Sequence, residues 1–336
     1  MRRDYSIPQG DLHRLKHHSA VLNGNFLDDP ANRELYVWTP PGWTKSERLP
    51  LLVDLKGYWS SGLAHTNWQI FSENVVERLD RLTSEGMERV IVAFPDCFTK
   101  LYGNQYINSA GTGRYADYLC DEIVPFVEEA FNCGGEGRRG LFGKSSGGYG
   151  AAWHALCRAD FWAAASMNSA DMGFETAFYP ELLTVTEQLA PHDYSIERYF
   201  HHIEAQPKIG DKDIVCITYV AQGAFYDPDL TQFRAMRLPL DPFTGELIAE
   251  RWENWMAHDP VVMLDDRLQE IRKLKAIWMD CGSRDQSRQH FGMRRFHLKL
   301  AGAGIDHVYE EFDDTHSDID YRMDNFIPFL AKALSE

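Results

Sequence analysis

Hydrophobic and polar positions along this chain follow two rhythms, and the switches between them mark out the elements. Period-two alternation predicts strands over residues 17–22 and 33–39, where Leu35, Val37 and Thr39 oppose Tyr36 and Trp38. Residues 1–15 are polar and read as an irregular lead-in arm. Residues 23–32, rich in Asn, Asp, Gly and Pro, make a turn, and Pro40-Pro41-Gly42 ends the second strand. The mostly apolar runs at 49–56 and 89–94 read as strands buried on both faces. Between them, 67–84 has Ile70, Phe71, Val75, Val76 and Leu79 on one side of a helical wheel, which predicts a helix. A loop dense in aromatic and small polar residues follows over 95–112, then an amphipathic helix over 114–131. A short strand begins at Arg139, breaks at a glycine-rich turn and continues as a helix, with a further strand at 163–167. The chain closes with a strand at 274–279, a helix at 288–301, a strand at 307–312 and a helix at 319–334. Strands followed by strand–helix units predict a mainly parallel sheet with helices on both faces, here as one domain over 1–336.

Residues 171–265 break this rhythm. They are rich in Pro, Asp, Tyr and Trp, with helical patches at 195–205 and 248–256 and a weak strand at 214–220. A block of that length between two core strands is read as a lid or pocket wall, or as a dimer surface. Both stay open, and with the second a homodimer.

Composition narrows the partners. The 336 residues are 44% hydrophobic and 25% charged, ordinary for a globular protein, but the formal net charge is −16. That balance argues against nucleic acid and against an anionic membrane surface, and leaves a small molecule as the expected partner. The six cysteines show no C-x-x-C pair and read as buried thiols of a reducing compartment. With no apolar leader and no run long enough to span a bilayer, a cytoplasmic location is expected. No His/Cys/acid cluster has metal-ligand spacing, so neither a metal nor a cofactor is expected.

The chemistry is concentrated at Gly143-Lys144-Ser145-Ser146-Gly147, which fits G-x-S-x-G. A serine on a tight strand-to-helix turn exposes its hydroxyl at a strained backbone angle, and the flanking glycines let strand and helix approach without Cβ clashes. The register selects Ser145, because Ser146 would need a glycine where Lys144 stands. A phosphate-binding G-x-x-x-x-G-K-[ST] reading fails, since Arg138 occupies its first glycine position. A serine nucleophile needs a base and a carboxylate to orient that base. After the strand at 307–312 comes His316, the expected base. After the strand at 274–279 come Asp280 and Asp285; Asp285 is the expected acid and Asp280 the alternative. For the oxyanion, the expected donors are the amides of Ser146 and Tyr58, with Gly57 permitting close backbone approach. Trp59, Trp68, Tyr102, Tyr106 and Trp153 are candidate walls of the substrate site, Trp153 being read first as core packing.

With these pieces the chain resembles the putative esterase family of α/β-hydrolases, which includes enterochelin-esterase-like, S-formylglutathione-hydrolase-like and feruloyl-esterase-like proteins. The likeness runs from about residue 17 to 334. It rests on the stretch from Glu34 to Trp43, on Asp54-Leu55-Lys56-Gly57-Tyr58, on residues 143–150, and on the turns at Gly282–Asp285 and Thr315–Ser317. The resemblance implies an α/β-hydrolase fold, with Ser145 as nucleophile, Asp285 as acid and His316 as base. The chain departs from the family at Lys56, where His usually stands, and at Lys144, where His or a hydrophobic residue is common. The expected activity is serine carboxylic-ester hydrolysis through an acyl-enzyme. An acyltransferase or peptidase on the same triad is the nearest alternative, and a non-catalytic binding module the more distant one.

Overall fold

In the computed structural model, which describes residues 6–336, an eight-stranded sheet runs through the molecule. Its order is Asp11–His18, Asn32–Thr39, Ile91–Pro95, Leu51–Leu55, Arg139–Lys144, Ala164–Asn168, Ala276–Gly282, Val308–Phe312. The first three strands pair antiparallel, and every later pairing is parallel. The chain runs from Leu51–Leu55 outward to Ile91–Pro95, then crosses back to Arg139–Lys144 on the other side. That reversal makes a switch point at the carboxyl ends of the two central strands, where parallel α/β sheets form their binding crevice.

Helices cover both faces, so Leu51–Leu55, Ile91–Pro95, Ala164–Asn168 and Ala276–Gly282 are buried at every residue. One face packs on the helical run from Tyr115 to Phe131 and on the helices Ser146–Cys157, Pro260–Ile271 and Gln289–Gly302. The other carries Val75–Ser84 and Met323–Ser335. A further apolar cluster draws most of its residues from the helices Tyr179–Leu189, Ile196–Glu204, Asp211–Tyr226 and Ala249–Met256, with others from residues 174–178 and 235–240 and from the core side, Leu101, Ile107 and Tyr149 among them. Among the described residues no helix is long and apolar enough to cross a membrane.

Four expectations need correction. The first strand is Asp11–His18, not 17–22, so the lead-in arm is shorter than expected; its first five residues lie outside the described residues. The strand's inward positions are His13, Leu15 and His17, and two of the three are rings doing an apolar job: His13 packs on Phe131 and His17 on Phe126. The helix expected over 67–84 starts only at Val75, because Asn74 and Glu77 form a reciprocal capping box there. Ile70 and Phe71, placed on its apolar side, are 53% and 85% exposed.

The strand expected at 214–220 is part of the helix Asp211–Tyr226. Its β-branched residues mimic a strand, but Asp213 closes the first turn on the Gly210 amide, and burial of Ile217, Val220 and Ala221 favours the helix. Finally, the insert ends at 259 rather than 265. Pro260–Ile271 is a core helix against Ser146–Cys157. Buried Asp259 caps it through the Val261 amide and also takes the amides of Gly173 and Phe174, which clamps the two ends of the insert together.

Candidate active site

Ser145 stands between the strand Arg139–Lys144 and the helix Ser146–Cys157 with φ 58° and ψ −122°, a conformation costly for a residue with a Cβ. The surroundings impose it. Its amide donates to the Asn168 carbonyl at 3.0 Å, and its carbonyl accepts from the amides of Tyr149 at 2.8 Å and Asp171 at 3.2 Å. A Cβ on Gly147 would overlap the carbonyl oxygen of Leu55, so the turn closes only with glycine there.

The loop after Leu51–Leu55 comes against this turn from the other side. A Cβ on Gly57 would lie 3.1 Å from the Lys144 carbonyl oxygen, tighter than ordinary packing. The loop is pinned by Tyr58 Oη, which donates to the Leu101 carbonyl at 2.6 Å, and by Tyr106 Oη, which donates to the Lys56 carbonyl. Trp59 gives its amide to the Tyr102 carbonyl at 3.0 Å and its indole N–H to Thr218 Oγ1 at 2.9 Å. Among the described residues no acceptor takes the amides of Tyr58 or Ser146. The Trp59 amide is thus committed elsewhere, though the residue lines the cavity.

Asp285 and His316 meet across neighbouring loops, with His316 Nδ1 2.7 Å from Asp285 Oδ2. Burial raises the Asp285 carboxyl, but His316 and the amides of Ser287 and Gln289 outweigh it and hold the group below its ordinary value. The His316 backbone is fixed at both ends: its amide donates to Gln286 Oε1 at 2.9 Å, and its carbonyl accepts from Lys144 Nζ at 3.1 Å. Asp280 is elsewhere. It accepts from Arg322 Nε at 3.1 Å, and burial pushes its carboxyl up to about 6 against that guanidinium.

Two features carried no sequence motif. Ser145 Oγ donates not to His316 but to Asp171 Oδ1, at 3.3 Å. Asp171 also accepts from Ser146 Oγ at 2.7 Å and Gln289 Nε2 at 2.9 Å. Burial pushes its carboxyl up, opposed by these hydrogen bonds and by His316. The one available signal was its position, just past the end of a core strand at the mouth of the insert. The second feature is another aspartate–histidine pair: Asp54 Oδ2 holds His65 Nδ1, and Lys56 Nζ meets His65 Nε2.

Ser145, Ser146, Asp171, His316, Asp54 and His65 line one cavity of about 490 Å³, with Asp285 behind His316. One wall carries Lys56, His65, Lys144, Asp320, Met323 and Phe326; the insert supplies the other with Phe178, Ile214, Val215, Thr218, Tyr219 and Gln222. Of the aromatic candidates, Trp59 lines the cavity and Tyr102 stacks behind it at 5.5 Å. Tyr106 is buried under the oxyanion loop, and Trp153 packs against the insert's apolar cluster. Trp68 is 64% exposed and does not line the cavity.

The chain matches the family described as putative esterase over residues 30–333. In fold it is similar to a ferulic acid esterase, at 19% identity and TM-score 0.61, over 97% of this chain and 99% of that one. It is likewise similar to FphF, a fluorophosphonate-binding serine hydrolase of Staphylococcus aureus (18% identity, TM-score 0.58, 96% and 99% covered). An S-formylglutathione hydrolase from Agrobacterium tumefaciens gives 16% identity and TM-score 0.62, with 99% of both chains covered. No curated protein sequence matches it. The likeness to these structures carries the fold and the family match carries the activity: the chain belongs to the putative esterase family, as a carboxylesterase-type serine hydrolase of the α/β-hydrolase fold.

Proposed function

We propose that the protein hydrolyses small carboxylic esters through an acyl-enzyme on Ser145, with His316 as the base and Asp285 as its orienting acid. The observation that carries this reading is that His316, held by Asp285 at 2.7 Å, shares a cavity with a strained, half-buried serine. On substrate binding the Ser145 hydroxyl leaves Asp171 and turns to His316; catalytic hydrogen bonds are often loose until a substrate is in place. Oγ then bonds to the ester carbon as its proton passes to His316 Nε2. The amides of Tyr58 and Ser146 receive the oxyanion. Collapse breaks the bond to the alcohol oxygen, which takes the proton from His316, and water repeats the sequence to release the acid. Asp285, held ionised, steadies the imidazolium throughout.

Steady-state hydrolysis of short-chain p-nitrophenyl esters tests this. Wild type turns over, and Ser145→Ala and His316→Ala each lose roughly 10⁴-fold or more in kcat. Comparable rates in all three proteins would remove both residues from the mechanism. Fluorophosphonate labelling, confined to Ser145, identifies the nucleophile independently. The fold likeness puts feruloyl esters and S-formyl thioesters early in the substrate panel.

A further inference from the structure

The unexplained group at this site is Asp171. A carboxylate buried against the nucleophile adds nothing to the Ser–His–Asp chemistry, and its negative charge opposes the oxyanion that must form nearby. Its three donors, the hydroxyls of Ser145 and Ser146 and the amide of Gln289, are all neutral. Attack removes one of them. When the Ser145 hydroxyl turns to His316, Asp171 Oδ1 keeps Gln289 Nε2 as a donor but loses the other of its two, so a buried carboxylate oxygen has an acceptor position open at the moment the substrate arrives. In the acyl-enzyme only the acyl half remains, bonded to Oγ. A carboxylate 3.3 Å from Oγ therefore meets the acyl half rather than the leaving alcohol.

A second observation points to the same occupant. Gln222, on the cavity-facing side of the insert helix Asp211–Tyr226, is only 1% exposed, yet its Oε1 has no hydrogen-bond partner. Buried amides are almost always paired, so an unpaired one lining a cavity marks a place for a ligand's polar group. The lining around it is otherwise mostly apolar or aromatic: Phe178, Val215 and Tyr219. That wall admits a compact acyl chain and offers it polar contacts only at fixed points.

We infer that Asp171 and Gln222 form an acceptor subsite for a hydrogen-bond donor carried on the substrate's acyl group next to the scissile carbonyl, which makes amino-acyl and hydroxy-acyl esters the substrate class. An ammonium suits it best, because it neutralises a buried carboxylate that no side-chain cation pairs with among the described residues. This rests on the ester-hydrolysis reading above and specifies the substrate it leaves open.

The test is a matched series: alanine methyl ester, methyl lactate and methyl propionate, which differ only in an ammonium, a hydroxyl or a hydrogen on the α-carbon. Wild type favours alanine or lactate over propionate by at least about tenfold in kcat/KM, and Asp171→Asn and Gln222→Leu both shrink that ratio. Dividing wild-type by variant ratios removes the intrinsic reactivity of each ester. Alanine well above lactate identifies an ammonium site, and equal preference a site for any donor. A ratio unchanged in both variants overturns the inference, and Gln222→Leu keeps the test open if Asp171→Asn fails to fold, since it breaks no bond inside the protein. Absence of turnover with all three esters counts against the hydrolysis reading instead. Calorimetry with Ser145→Ala then decides: tighter binding of alanine methyl ester than of methyl propionate, lost in Ser145→Ala/Asp171→Asn, keeps the subsite, and equal binding removes it.

Discussion

Asp285 and His316 come from loops after two neighbouring strands, whereas Asp54 and His65 come from one strand and the turn that follows it; both histidines line the same cavity. In each, the histidine gives Nδ1 to the carboxylate. A carboxylate only accepts, so both rings carry their proton on Nδ1. The difference lies at Nε2. That of His316 has no partner among the described residues and opens on the cavity beside Ser145. That of His65 meets Lys56 Nζ, an ammonium that only donates, so its lone pair is already in use. A general base needs that lone pair free. His65 instead ties down Lys56, the residue just before the oxyanion-loop glycine. An aspartate–histidine pair in a pocket is therefore a base or a brace according to its third partner.

The largest effect separates the two pairs directly. His316→Ala lowers kcat by roughly 10⁴-fold, while His65→Ala changes it by less than about tenfold and acts mainly by loosening the loop. Equal losses would mean that both pairs take part in the chemistry. Lys56→Met sharpens the contrast by freeing His65 Nε2. Diethyl pyrocarbonate, which needs an unprotonated ring nitrogen, should then modify His65 where in wild type it leaves that residue protected. Modification of His65 at the same rate with and without Lys56 would show that the ammonium does not occupy the lone pair.

What the sequence made legible follows a physical rule. The elbow at Ser145 could be read because its steric demand is written in the glycines beside it. Asp285 and His316, which the structure brings to 2.7 Å of each other, could be placed because each follows a predicted strand, the first fully buried and the second, Val308–Phe312, a half-buried edge strand. The choice between Asp285 and Asp280 turned on a side-chain direction, and Arg322, which claims Asp280, is 42 positions away from it. Asp171 was not legible because its donors are scattered, Gln289 lying 118 residues on. The insert was least legible of all. Its helix Asp211–Tyr226 is held by an apolar cluster gathered from several insert helices and from distant core residues such as Leu101 and Tyr149, and local β-branched residues pointed the other way.

A third histidine extends the comparison into the core. His154, on the elbow helix, accepts from Trp162 Nε1 at Nδ1 and donates from Nε2 to the Tyr106 carbonyl, each at 3.1 Å. A second ring proton would have to displace the Trp162 bond, and burial depresses the group to about 3 from an ordinary 6.5. With the folded value below the unfolded one, the unfolded chain binds the extra proton as pH falls through 6.5, and stability drops from there down to about 3. Between pH 7 and pH 5 the His154 contribution is a loss of about 2 kcal/mol. Denaturant titrations at the two values, beside His154→Gln, measure it; an equal pH dependence in the variant would assign the loss to other groups.

The smallest effect tests how the working pair is held in place. Lys144 stands immediately before Ser145, the proposed nucleophile, and its ammonium reaches the carbonyl of His316, joining the elbow to the loop of the proposed base through one hydrogen bond of 3.1 Å. It is largely buried, which lowers its pKa, while Asp320 opposes that effect. A charge-assisted hydrogen bond of this kind is worth roughly 1.5 kcal/mol, or about tenfold in rate if it is needed only to aim the imidazole. Lys144→Met should therefore lower kcat by about that factor with little change in KM, and slow fluorophosphonate labelling of Ser145 in parallel. If the lysine serves stability alone, the melting temperature falls and kcat on the remaining folded protein does not. If it binds substrate, KM rises while labelling by a small fluorophosphonate is unaffected. Only the first pattern makes Lys144 a positioning residue, the counterpart for His316 of what Lys56 is for His65: one lysine holds the base toward the serine, and the other holds its twin away from chemistry.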